Sequence, residues 1–447
     1  MNLNKPGVNK VEVKQFLGGI HVPHYKSFSE HKAIKETSLP EEIIIPLLQH
    51  TGAPNEPLVK VGDKVKAGQK IGATDKFISA PVHASLSGTV TAIEPRPFMT
   101  GEKIESIVIA VDKDQDGLEL ADNDLDAVTK EDIVKAVREA GIVGMGGAAF
   151  PTSVKLSPPP DKVVDALIIN GCECEPYLTC DHRIMLEMPD QLLQGVKLLM
   201  KVLGVEKAYI CIEDNKDDAI EAVRQKNDDP NIILLRMPTK YPQGSEKHLV
   251  KAALDREIPS GGLPFDVGTL IQNVGTCVAV YEAVKFNKPL IERVVAVTGQ
   301  NIKDPQNLMV KIGTPLSHLI AECDGIIEEP AKVVVGGPMT GKAQESLEVP
   351  VVKGTTGIVV LPPEMALGDM EYFDCVRCCK CVEHCPMLIY PNQISIYCEA
   401  GMVKEADEWN TMDCIECGIC AYVCPSKRPI TQLVQLTKPL IRDLVSK

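Results

Sequence analysis

The stretch DCVRCCKCVEHCPM, residues 374–387, decides the architecture of the C-terminal part of this chain. It holds five cysteines within eleven residues, two of them adjacent, and a proline follows the last cysteine. The spacing C-x2-C-x2-C-x3-C-P begins at Cys375 and occurs again in full from Cys414. A thiol pattern that is repeated at unchanged spacing indicates metal clusters rather than a set of disulfides.

The repeat resembles the ligand run of bacterial two-cluster ferredoxins, in which three closely spaced thiolates bind one cluster and the fourth binds the other. Structural zinc is the alternative, but it uses two separated C-x2-C pairs and requires neither a third cysteine nor the Cys-Pro step. We therefore expect two [4Fe–4S] clusters, with Cys379 as a spare thiol and Cys398 as a core residue. The resemblance implies one cluster on Cys375, Cys378, Cys381 and Cys424 and another on Cys414, Cys417, Cys420 and Cys385.

Composition and charge limit the other possibilities. The chain has 447 residues, of which 44% are hydrophobic and 24% charged, as in soluble globular proteins with about two to four domains. It has no apolar run long enough to span a bilayer and no apolar signal region at its N-terminus, so we expect a cytoplasmic chain. The formal net charge is −14 and no basic stripe is present, which argues against nucleic acid as a partner. Ten of the sixteen cysteines lie between Cys375 and Cys424, and a reducing compartment favours metal binding by them.

Residues 40–112 are rich in Val, Ile and Gly, with turn signals at short intervals. The segments VKVGDKVKAGQKIGA and SAPVHASLSGTVTAIEP resemble the biotinyl/lipoyl-like hammerhead, so we predict a small β domain here. In GATDKFIS, Lys76 stands where lipoyl domains carry their modified lysine. Only three residues separate it from Ala80-Pro81, which is shorter than in a lipoyl domain. We therefore predict an unmodified structural barrel.

Strand and helix patterns alternate after this region. KEDIVKAVREAGI has helical periodicity, VVDALIINGCE reads as a buried strand, and further helix and strand patterns follow up to NIILLRMP. Such alternation predicts a multidomain α/β protein with a Rossmann-like parallel sheet whose strand ends accept a ligand. The predicted domains are an N-terminal region at 1–125 with its barrel at 40–112, a Rossmann-like domain at 126–288, a small β-grasp-like (SLBB) unit at 289–350, and an α-helical two-cluster domain at 351–447.

The loop VGMGGAAF contains Gly144-x-Gly146-x-x-Ala149, which formally matches the dinucleotide fingerprint. The match is weak because the loop follows a helix and because Pro151 lies where the next helix should continue. However, GMGGAAFPTSVKL followed by INGCECEPYLTCDHR resembles the FMN-binding chain of respiratory complex I, with its G-x-G-G-A-G-F-P-T-G-x-K and N-A-D-E-S-E-P-G segments. With FLGGIHVPHYKS, YPQGSEKHLVKAAL, LIQNVGTCVAVYEAV and VVVGGPMTGK added, the chain is more similar still to the RnfC family, over nearly its whole length.

The resemblance implies a bound FMN and a nicotinamide site. Glycine-rich turns let backbone N–H groups approach a phosphate or a flavin, and a nearby lysine adds a positive charge. Glu173, Glu175 and Phe150 would act on the nicotinamide, with Phe150 as an aromatic wall, whereas Cys172 replaces the first Asp of the complex I motif and leaves that contact open. The implied FMN residues are Gly144, Gly146, Gly147, Lys155, Asn170, Glu173, Glu175, Gly244, Glu246, Asn273 and Thr276. The histidines show no metal spacing, and we expect structural or surface roles for His21, His24, His83, His182 and His248.

RnfC is the peripheral subunit of the Rnf ion-translocating ferredoxin:NAD+ oxidoreductase complex. The resemblance therefore implies an oxidoreductase subunit at the cytoplasmic face of a bacterial plasma membrane. Hydride would pass between NAD(H) and FMN, and single electrons would pass through the two clusters to partner subunits, one of them an iron–sulfur subunit that meets ferredoxin. Two alternatives stay open: a soluble flavin and iron–sulfur reductase that feeds another acceptor such as a corrinoid, and a flavin-free electron-transfer adaptor.

Overall fold

The computed structural model describes residues 13–329, 331–365 and 371–445. These residues form two small antiparallel sheets near the N-terminus, a four-stranded parallel sheet, a six-stranded mixed sheet and a C-terminal group of helices. The predicted multidomain α/β fold class is confirmed. Within the described residues, no helix combines the length and the apolar character needed to cross a membrane.

The N-terminal β domain is a sandwich of a sheet in the order β2-β8-β7-β4 and a sheet in the order β3-β5-β6. Its core is built from alternating isoleucines, because Ile43 and Ile45 of β2 and Ile107 and Ile109 of β8 are fully buried. Lys76 lies in the turn between β5 and β6, where its carbonyl accepts a hydrogen bond from Ser79 Oγ at 2.6 Å. The strands are β1 Ile34–Glu36, β2 Glu42–Pro46, β3 Glu56–Pro57, β4 Lys64–Val65, β5 Lys70–Ala73, β6 Val82–His83, β7 Gly88–Pro97 and β8 Lys103–Val111.

The Rossmann-like unit has a parallel sheet in the order β11-β10-β9-β12 with helices on both faces. Its strands are nearly continuous apolar runs, as expected for strands that are covered on both sides. Asn170 pairs with Asn273 at the carboxyl ends of β9 and β12, so two predicted site residues meet at one edge of the sheet. The strands are β9 Ala166–Gly171, β10 Lys207–Glu213, β11 Ile232–Met237 and β12 Thr269–Asn273; the helices are α1 Lys130–Glu139, α2 Thr152–Lys155, α3 Cys180–Glu187, α4 Pro189–Leu203, α5 Asp217–Lys226, α6 Glu246–Leu254 and α7 Val274–Phe286.

Local signals in the sequence explain where these helices begin and end. Thr129 caps α1 in a capping box with Asp132, in agreement with the acidic first turn of that segment. Pro189 opens α4, and Gly204 ends it in a left-handed conformation that suits glycine. Asn273 caps α7 through its side chain, which ties a predicted ligand-binding residue to the start of a helix.

The six-stranded sheet has the order β1-β14-β13-β17-β15-β16. Two of its strands come from outside residues 289–350, namely β1 from the N-terminal region and β17 from beyond the predicted unit. The sheet therefore links three segments that are far apart in the chain. Its other elements are β13 Glu292–Thr298, β14 Gln306–Lys311, α8 Leu316–Glu322, β15 Lys332–Val335, β16 Lys342–Ala343 and β17 Gly357–Leu361.

The C-terminal unit repeats the same backbone twice, once for each cysteine run. The short helices α9 and α12 each follow a residue in the left-handed conformation, Cys379 with φ 61° and Gly418 with φ 79°. Arg377 and Glu416, which precede the second cysteine of each run, are left-handed as well. The helices are α9 Lys380–Glu383, α10 Pro391–Glu399, α11 Val403–Glu408, α12 Ile419–Tyr422 and α13 Ile430–Val445.

Candidate active site and metal-binding cavities

The structure divides the predicted cluster ligands between two cavities. The first cavity encloses about 340 Å³, including the part open to solvent, and the second about 420 Å³ on the same measure. Each cavity takes three cysteines from one run and the Cys-Pro cysteine from the other run, as the ferredoxin resemblance implies. The first is lined by Cys375, Cys378, Cys381 and Cys424, and the second by Cys414, Cys417, Cys420 and Cys385.

The thiols of each cavity influence one another electrostatically. Burial raises the pKa of Cys381 to about 11, and the neighbouring thiols of the first cavity raise it further. Burial likewise raises the pKa of Cys417 to about 12, with added contributions from Cys414 and Cys385. Four buried thiols in one place are stable as thiolates only when positive charge is supplied, and bound iron supplies it. This donor set therefore fits a metal cluster.

A buried cation accompanies each cavity. Arg428 lines the first cavity, is 3% exposed and pairs with Glu399 at 2.5 Å. Lys438 donates to the carbonyl of Cys414 at 2.5 Å and pairs with Glu416 at 2.7 Å beside the second cavity. Such cations would offset the negative charge that a thiolate-bound cluster brings.

Cys379 and Cys398 differ from the predicted ligands. Cys379 is exposed on the wall of the first cavity, with its Sγ 3.7 Å from the carbonyl of Arg377. Cys398 is half-buried on α10 and packs in an apolar cluster with Ile394 and Val434. Their predicted roles as spare and core thiols stay predictions.

The glycine loop, residues 144–149, is held at both ends and open in the middle. Gly144 N–H donates to the carbonyl of Phe150 at 2.9 Å, and Met145 N–H donates to Thr276 Oγ1 at 3.0 Å. A β-carbon at Gly146 would lie 2.9 Å from Asn273 Nδ2, whereas one at Gly147 would meet no atom within 4 Å. The loop therefore needs glycine where it approaches Asn273 and presents open backbone beside that contact.

Asn170, Gly244 and Asn273 lie together at the end of the parallel sheet. Asn170 Nδ2 donates to the carbonyl of Gly244 at 2.8 Å. Asn273 Oδ1 accepts from Gly275 N–H at 2.8 Å, and its Nδ2 donates to Asp181 Oδ2 at 2.7 Å. The structure thus brings together residues that are about a hundred positions apart in the sequence, at the sheet edge where α/β proteins bind ligands.

Lys155 and Glu246 face each other at the same edge. Lys155 Nζ lies 3.0 Å from Glu246 Oε1 and 3.5 Å from the carbonyl of Ile271. Glu246 is the first residue of α6, where free backbone amides and a lysine together favour an anion. Phe150, the predicted aromatic wall, is half-buried at the end of the glycine loop.

Glu173 and Glu175 have protein partners in the structure. Glu173 Oε1 accepts from Asp181 N–H at 2.7 Å at the start of α3, and its Oε2 lies 3.8 Å from Lys26 Nζ. Glu175 Oε1 accepts from Thr340 N–H at 2.9 Å, and burial raises the pKa of Glu175. Both carboxylates thus stabilise neighbouring loops, and their action on a nicotinamide stays a prediction.

Asp181 is a candidate that sequence reasoning missed. It is 7% exposed, and burial together with the charge of Glu173 raises the pKa of Asp181 to about 7. It binds Asn273 Nδ2, so it lies directly behind the predicted FMN residues. Its position in INGCECEPYLTCDHR, six residues after Glu175, was the only signal available in the sequence.

The histidines are divided between surface and core. His21 and His24 are exposed, whereas His83, His182 and His248 are buried. His182 Nε2 lies 2.8 Å from Asp218 Oδ1, and His248 Nε2 lies 3.0 Å from the carbonyl of Pro386. These contacts are structural ones.

The second cavity adjoins the predicted FMN residues. Cys174 Sγ accepts from Gly244 N–H at 3.4 Å, and Tyr241 Oη donates to the carbonyl of Cys417 at 2.8 Å. Cys174, Tyr241 and Cys417 belong to one apolar cluster together with Ile419. A continuous series of contacts therefore leads from the strand-end site to a thiol of the second cavity. None of the sequence motifs had assigned a role to Cys174 or Tyr241.

The first cavity lies at an exposed surface. Tyr372, Phe373 and Val376 are 44%, 65% and 65% exposed, and Val376 lines this cavity. Large apolar side chains that remain exposed in a group are typical of interaction surfaces.

Comparisons with known proteins agree with this arrangement. Residues 14–114 match the RnfC barrel sandwich hybrid domain, residues 137–282 the Nuo51 FMN-binding domain, and residues 294–343 the SLBB domain. The chain is 46% identical to the RnfC subunit of the proton-translocating ferredoxin:NAD(+) oxidoreductase complex of Clostridium ljungdahlii, covering 95% of this chain and 94% of that protein. It is 44% identical to the RnfC subunit of the Na(+)-translocating complex of Acetobacterium woodii, covering 97% of each chain. A chain of the NAD+-reducing [NiFe]-hydrogenase in its H2-reduced state matches 72% of this chain and 62% of its own, with a TM-score of 0.49 and 18% identity.

Proposed function

Since this chain belongs to the RnfC family of subunits of the ion-translocating ferredoxin:NAD+ oxidoreductase complexes, we propose that it is the subunit that exchanges electrons with NAD(H). In this role it binds FMN at the strand-end site and two [4Fe–4S] clusters in the two cysteine-lined cavities. When bound, FMN converts a two-electron hydride exchange into single electrons, which iron–sulfur clusters carry. The protein itself positions these groups, excludes water and controls their surroundings.

The FMN site is proposed on the chain's own residues. Gly144, Gly146 and Gly147 offer backbone N–H groups, Lys155 and the start of α6 offer positive charge, and Asn170, Gly244, Glu246, Asn273 and Thr276 complete the site. Buried polar atoms without a partner among the described residues support a bound group here. They are the Thr152 hydroxyl, both amide atoms of Gln272 and Nε2 of Gln243, each within two positions of a predicted site residue in the chain.

The observation that carries the proposal is the contact series from Gly244 through Cys174 and Tyr241 to Cys417. It supports the second cavity as the one that receives electrons from the flavin and the first cavity as the one that passes them on. The exposed apolar side chains around the first cavity support a partner surface there. This order of the two cavities was left open by the sequence.

We further propose that the chain lies peripherally at the cytoplasmic face of the membrane and docks on the other subunits of the complex. The partner at the first cavity would be an iron–sulfur subunit that meets ferredoxin. We propose the division into functional domains at 1–125, 126–288, 289–350 and 351–447, and each family match falls within one of these ranges.

The test begins with FMN and iron analysis of the full chain purified without oxygen, followed by two variants. Cys385→Ala removes a ligand of the second cavity, and Cys424→Ala removes one of the first. We expect about one FMN and eight irons in the unaltered chain, and about half of that iron in each variant, since a [4Fe–4S] cluster takes four cysteines. Cys398→Ala is the matched control and should keep all the iron.

The two variants should differ when NADH is added. The cluster that remains in Cys424→Ala should be reduced by NADH, and the cluster that remains in Cys385→Ala should stay oxidised while the flavin is still reduced. Reduction of both remaining clusters at equal rates would contradict the proposed order. A chain without flavin would indicate an adaptor and would refute the proposed function. Co-purification with integral membrane subunits separates a complex subunit from a soluble reductase.

A further inference from the structure

The N-terminal motif FLGGIHVPHYKS acquires no role from the proposed function, yet it lies between the two candidate sites. We call residues 16–29 the strap and residues 172–178, which follow β9, the acidic turn. At its beginning the strap contacts the cluster unit, where Gly19 N–H donates to the carbonyl of His384 at 2.9 Å. It then pairs with Tyr241 through Ile20 and reaches the acidic turn at Lys26.

Lys26 is a buried ammonium that binds the backbone of the acidic turn. It is 5% exposed, and its Nζ donates to the carbonyls of Glu173 at 2.8 Å, Glu175 at 3.2 Å and Leu178 at 2.5 Å. These are three acceptors for the three donors of an ammonium group, so the group is fully used by the chain. Its charge faces the Glu173 carboxylate at 3.8 Å.

A second buried ammonium holds the start of the turn. Lys216 Nζ donates to the carbonyl of Cys172 at 2.7 Å and pairs with Glu213 at 3.1 Å. Both lysines are at the protein side of the turn, and each has one carboxylate nearby. Two desolvated cations beside one short segment are costly unless their donors are bonded. Here the backbone oxygens of the turn accept from both of them.

Further contacts fix the strap to the end of the acidic turn. The Tyr25 ring stacks on that of Tyr177, with centroids 4.8 Å apart and an interplanar angle of 13°. Tyr177 N–H donates to the carbonyl of His24 at 2.8 Å. Ser29 Oγ and Thr179 Oγ1 are 2.7 Å apart. The strap therefore holds the turn through a charge, a ring contact and hydrogen bonds.

The acidic turn contacts both candidate sites. Its Cys174 binds Gly244 of the proposed FMN site, and its Glu175 binds Met339 and Thr340. The Met339 carbonyl lies against Gly418, beside Cys417 of the second cavity. A shift of the turn would therefore move the two sites relative to each other.

We propose that Lys26 is a positioning residue for electron exchange, because its ammonium fixes the acidic turn between the FMN site and the second cavity. The inference rests on the proposed function for its consequence in catalysis but not for its structural part. Misplacement by about 1 Å costs up to about a hundredfold in rate when the reacting groups depend on fixed geometry. Loss of the ammonium leaves three carbonyls without a donor, so the turn should open more often.

The test compares Lys26→Gln with Lys26→Arg and with the control Lys32→Gln, a strap-adjacent lysine whose Nζ pairs with Asp304 at 2.5 Å. Hydrogen–deuterium exchange of residues 172–182 is measured in the full chain, together with FMN content and the kcat and KM for NADH with an artificial acceptor. We expect exchange in the turn to rise about tenfold in Lys26→Gln and kcat to fall by about tenfold. Lys26→Arg, which retains the charge, should recover part of both, and Lys32→Gln should match the unaltered chain.

Unchanged exchange in the turn of Lys26→Gln would overturn the inference, whether or not the chain holds flavin. Faster exchange with an unchanged kcat would show a purely structural lysine and would overturn the positioning role. An unaltered chain that lacks FMN would refute the proposed function instead. If Lys26→Gln does not accumulate in folded form, Tyr25→Leu loosens the same end of the strap while retaining the buried charge. Exchange equal to that of the unaltered chain in this variant would equally overturn the inference.

Discussion

Lys353 lies where three parts of the chain meet, and its titration gives a sharp test of the packing between them. Its side chain is 1% exposed, and its Nζ donates to the carbonyl of Pro81 in the N-terminal β domain at 2.6 Å. It also donates to the carbonyl of Gly141 at 2.7 Å, just before the glycine loop. Among the described residues no carboxylate lies within 4.0 Å of this ammonium. Burial lowers the pKa of Lys353 to about 7.

The expected pH dependence follows from that shift. An unfolded lysine has a pKa of about 10.4, so between pH 7 and 10 the unfolded chain binds more protons than the folded chain. The free energy of unfolding therefore rises with pH, by at most about 1.4 kcal/mol per unit. The full burial penalty applies below pH 7 and is relieved as the pH rises. From pH 7 to 9 the gain is about 2 kcal/mol, reduced slightly because the two carbonyls favour the charged form.

Lys353→Met removes the titrating group and leaves two carbonyls without donors, at a cost of about 1–3 kcal/mol each at every pH. The stability of the unaltered chain relative to this variant should therefore increase by about 2 kcal/mol between pH 6.5 and 9. His50 and His83 contribute in a different window, because burial and the Lys353 charge lower the pKa of His50 to about 4 and that of His83 to about 3.

A multidomain chain has no single unfolding free energy, so the local opening of residues 140–144 is measured by hydrogen exchange. Protection factors, corrected for the intrinsic pH dependence of exchange, give the opening free energy at each pH. The exposed Lys113→Met serves as the control and should follow the unaltered chain. A difference between the unaltered chain and Lys353→Met that stays constant from pH 6.5 to 9 would refute the reasoning.

Three further substitutions test single contacts. In Gly337→Ala the new β-carbon would collide with Oε2 of Glu175, so thermal unfolding should occur several degrees lower, as calorimetry would show. Gly418→Ala places a β-carbon 2.7 Å from the carbonyl of Met339 in a residue with φ +79°, and iron analysis should show loss of up to half of the iron. Cys379→Ala changes the equivalent position of the first run, which is already left-handed without glycine, and should leave the iron content unchanged; iron loss there would contradict its role as a spare thiol.

The fold and the ligand cysteines could be predicted because their signals are local. The spacing from Cys375 to Cys385 and its copy from Cys414 to Cys424 carry the ligand pattern within a few residues. The strand and helix patterns of residues 126–288 likewise depend on periodicity within short windows. The crossed membership of the two cavities followed from the ferredoxin resemblance and is the arrangement that the structure has.

The roles of buried charges could not be predicted in this way. Glu173 and Glu175 read as carboxylates at a free strand end, but their partners are Lys26, about 150 positions earlier, and Thr340, 165 positions later. Periodicity does not specify which distant segments meet, and a buried lysine resembles any surface lysine in sequence. The strap motif was recognisable, whereas its position between the two candidate sites required the tertiary structure.

Gly18 offers a direct test of the contact between the strap and the second cavity. It has φ +68°, and a β-carbon there would lie 2.5 Å from the carbonyl oxygen of Cys385 and 3.0 Å from Pro386 Cα. Alanine therefore carries both backbone strain, about 1 kcal/mol, and a collision with the backbone of a predicted cluster ligand. Gly62 has φ +93° with no atom within 4 Å of its β-carbon position, so Gly62→Ala carries the strain alone.

Gly18→Ala should thus lose up to half of the iron and slow the reduction of the remaining cluster by NADH, whereas Gly62→Ala should keep all the iron. The strap and the Cys385 backbone cannot both hold their places once the β-carbon is present, because backbone atoms do not yield as a flexible side chain end does. Since the same strap carries Lys26, displacement at Gly18 should also speed hydrogen exchange in residues 172–178. Equal iron content and equal exchange in the two alanine variants would contradict a strap that connects the second cavity to the acidic turn.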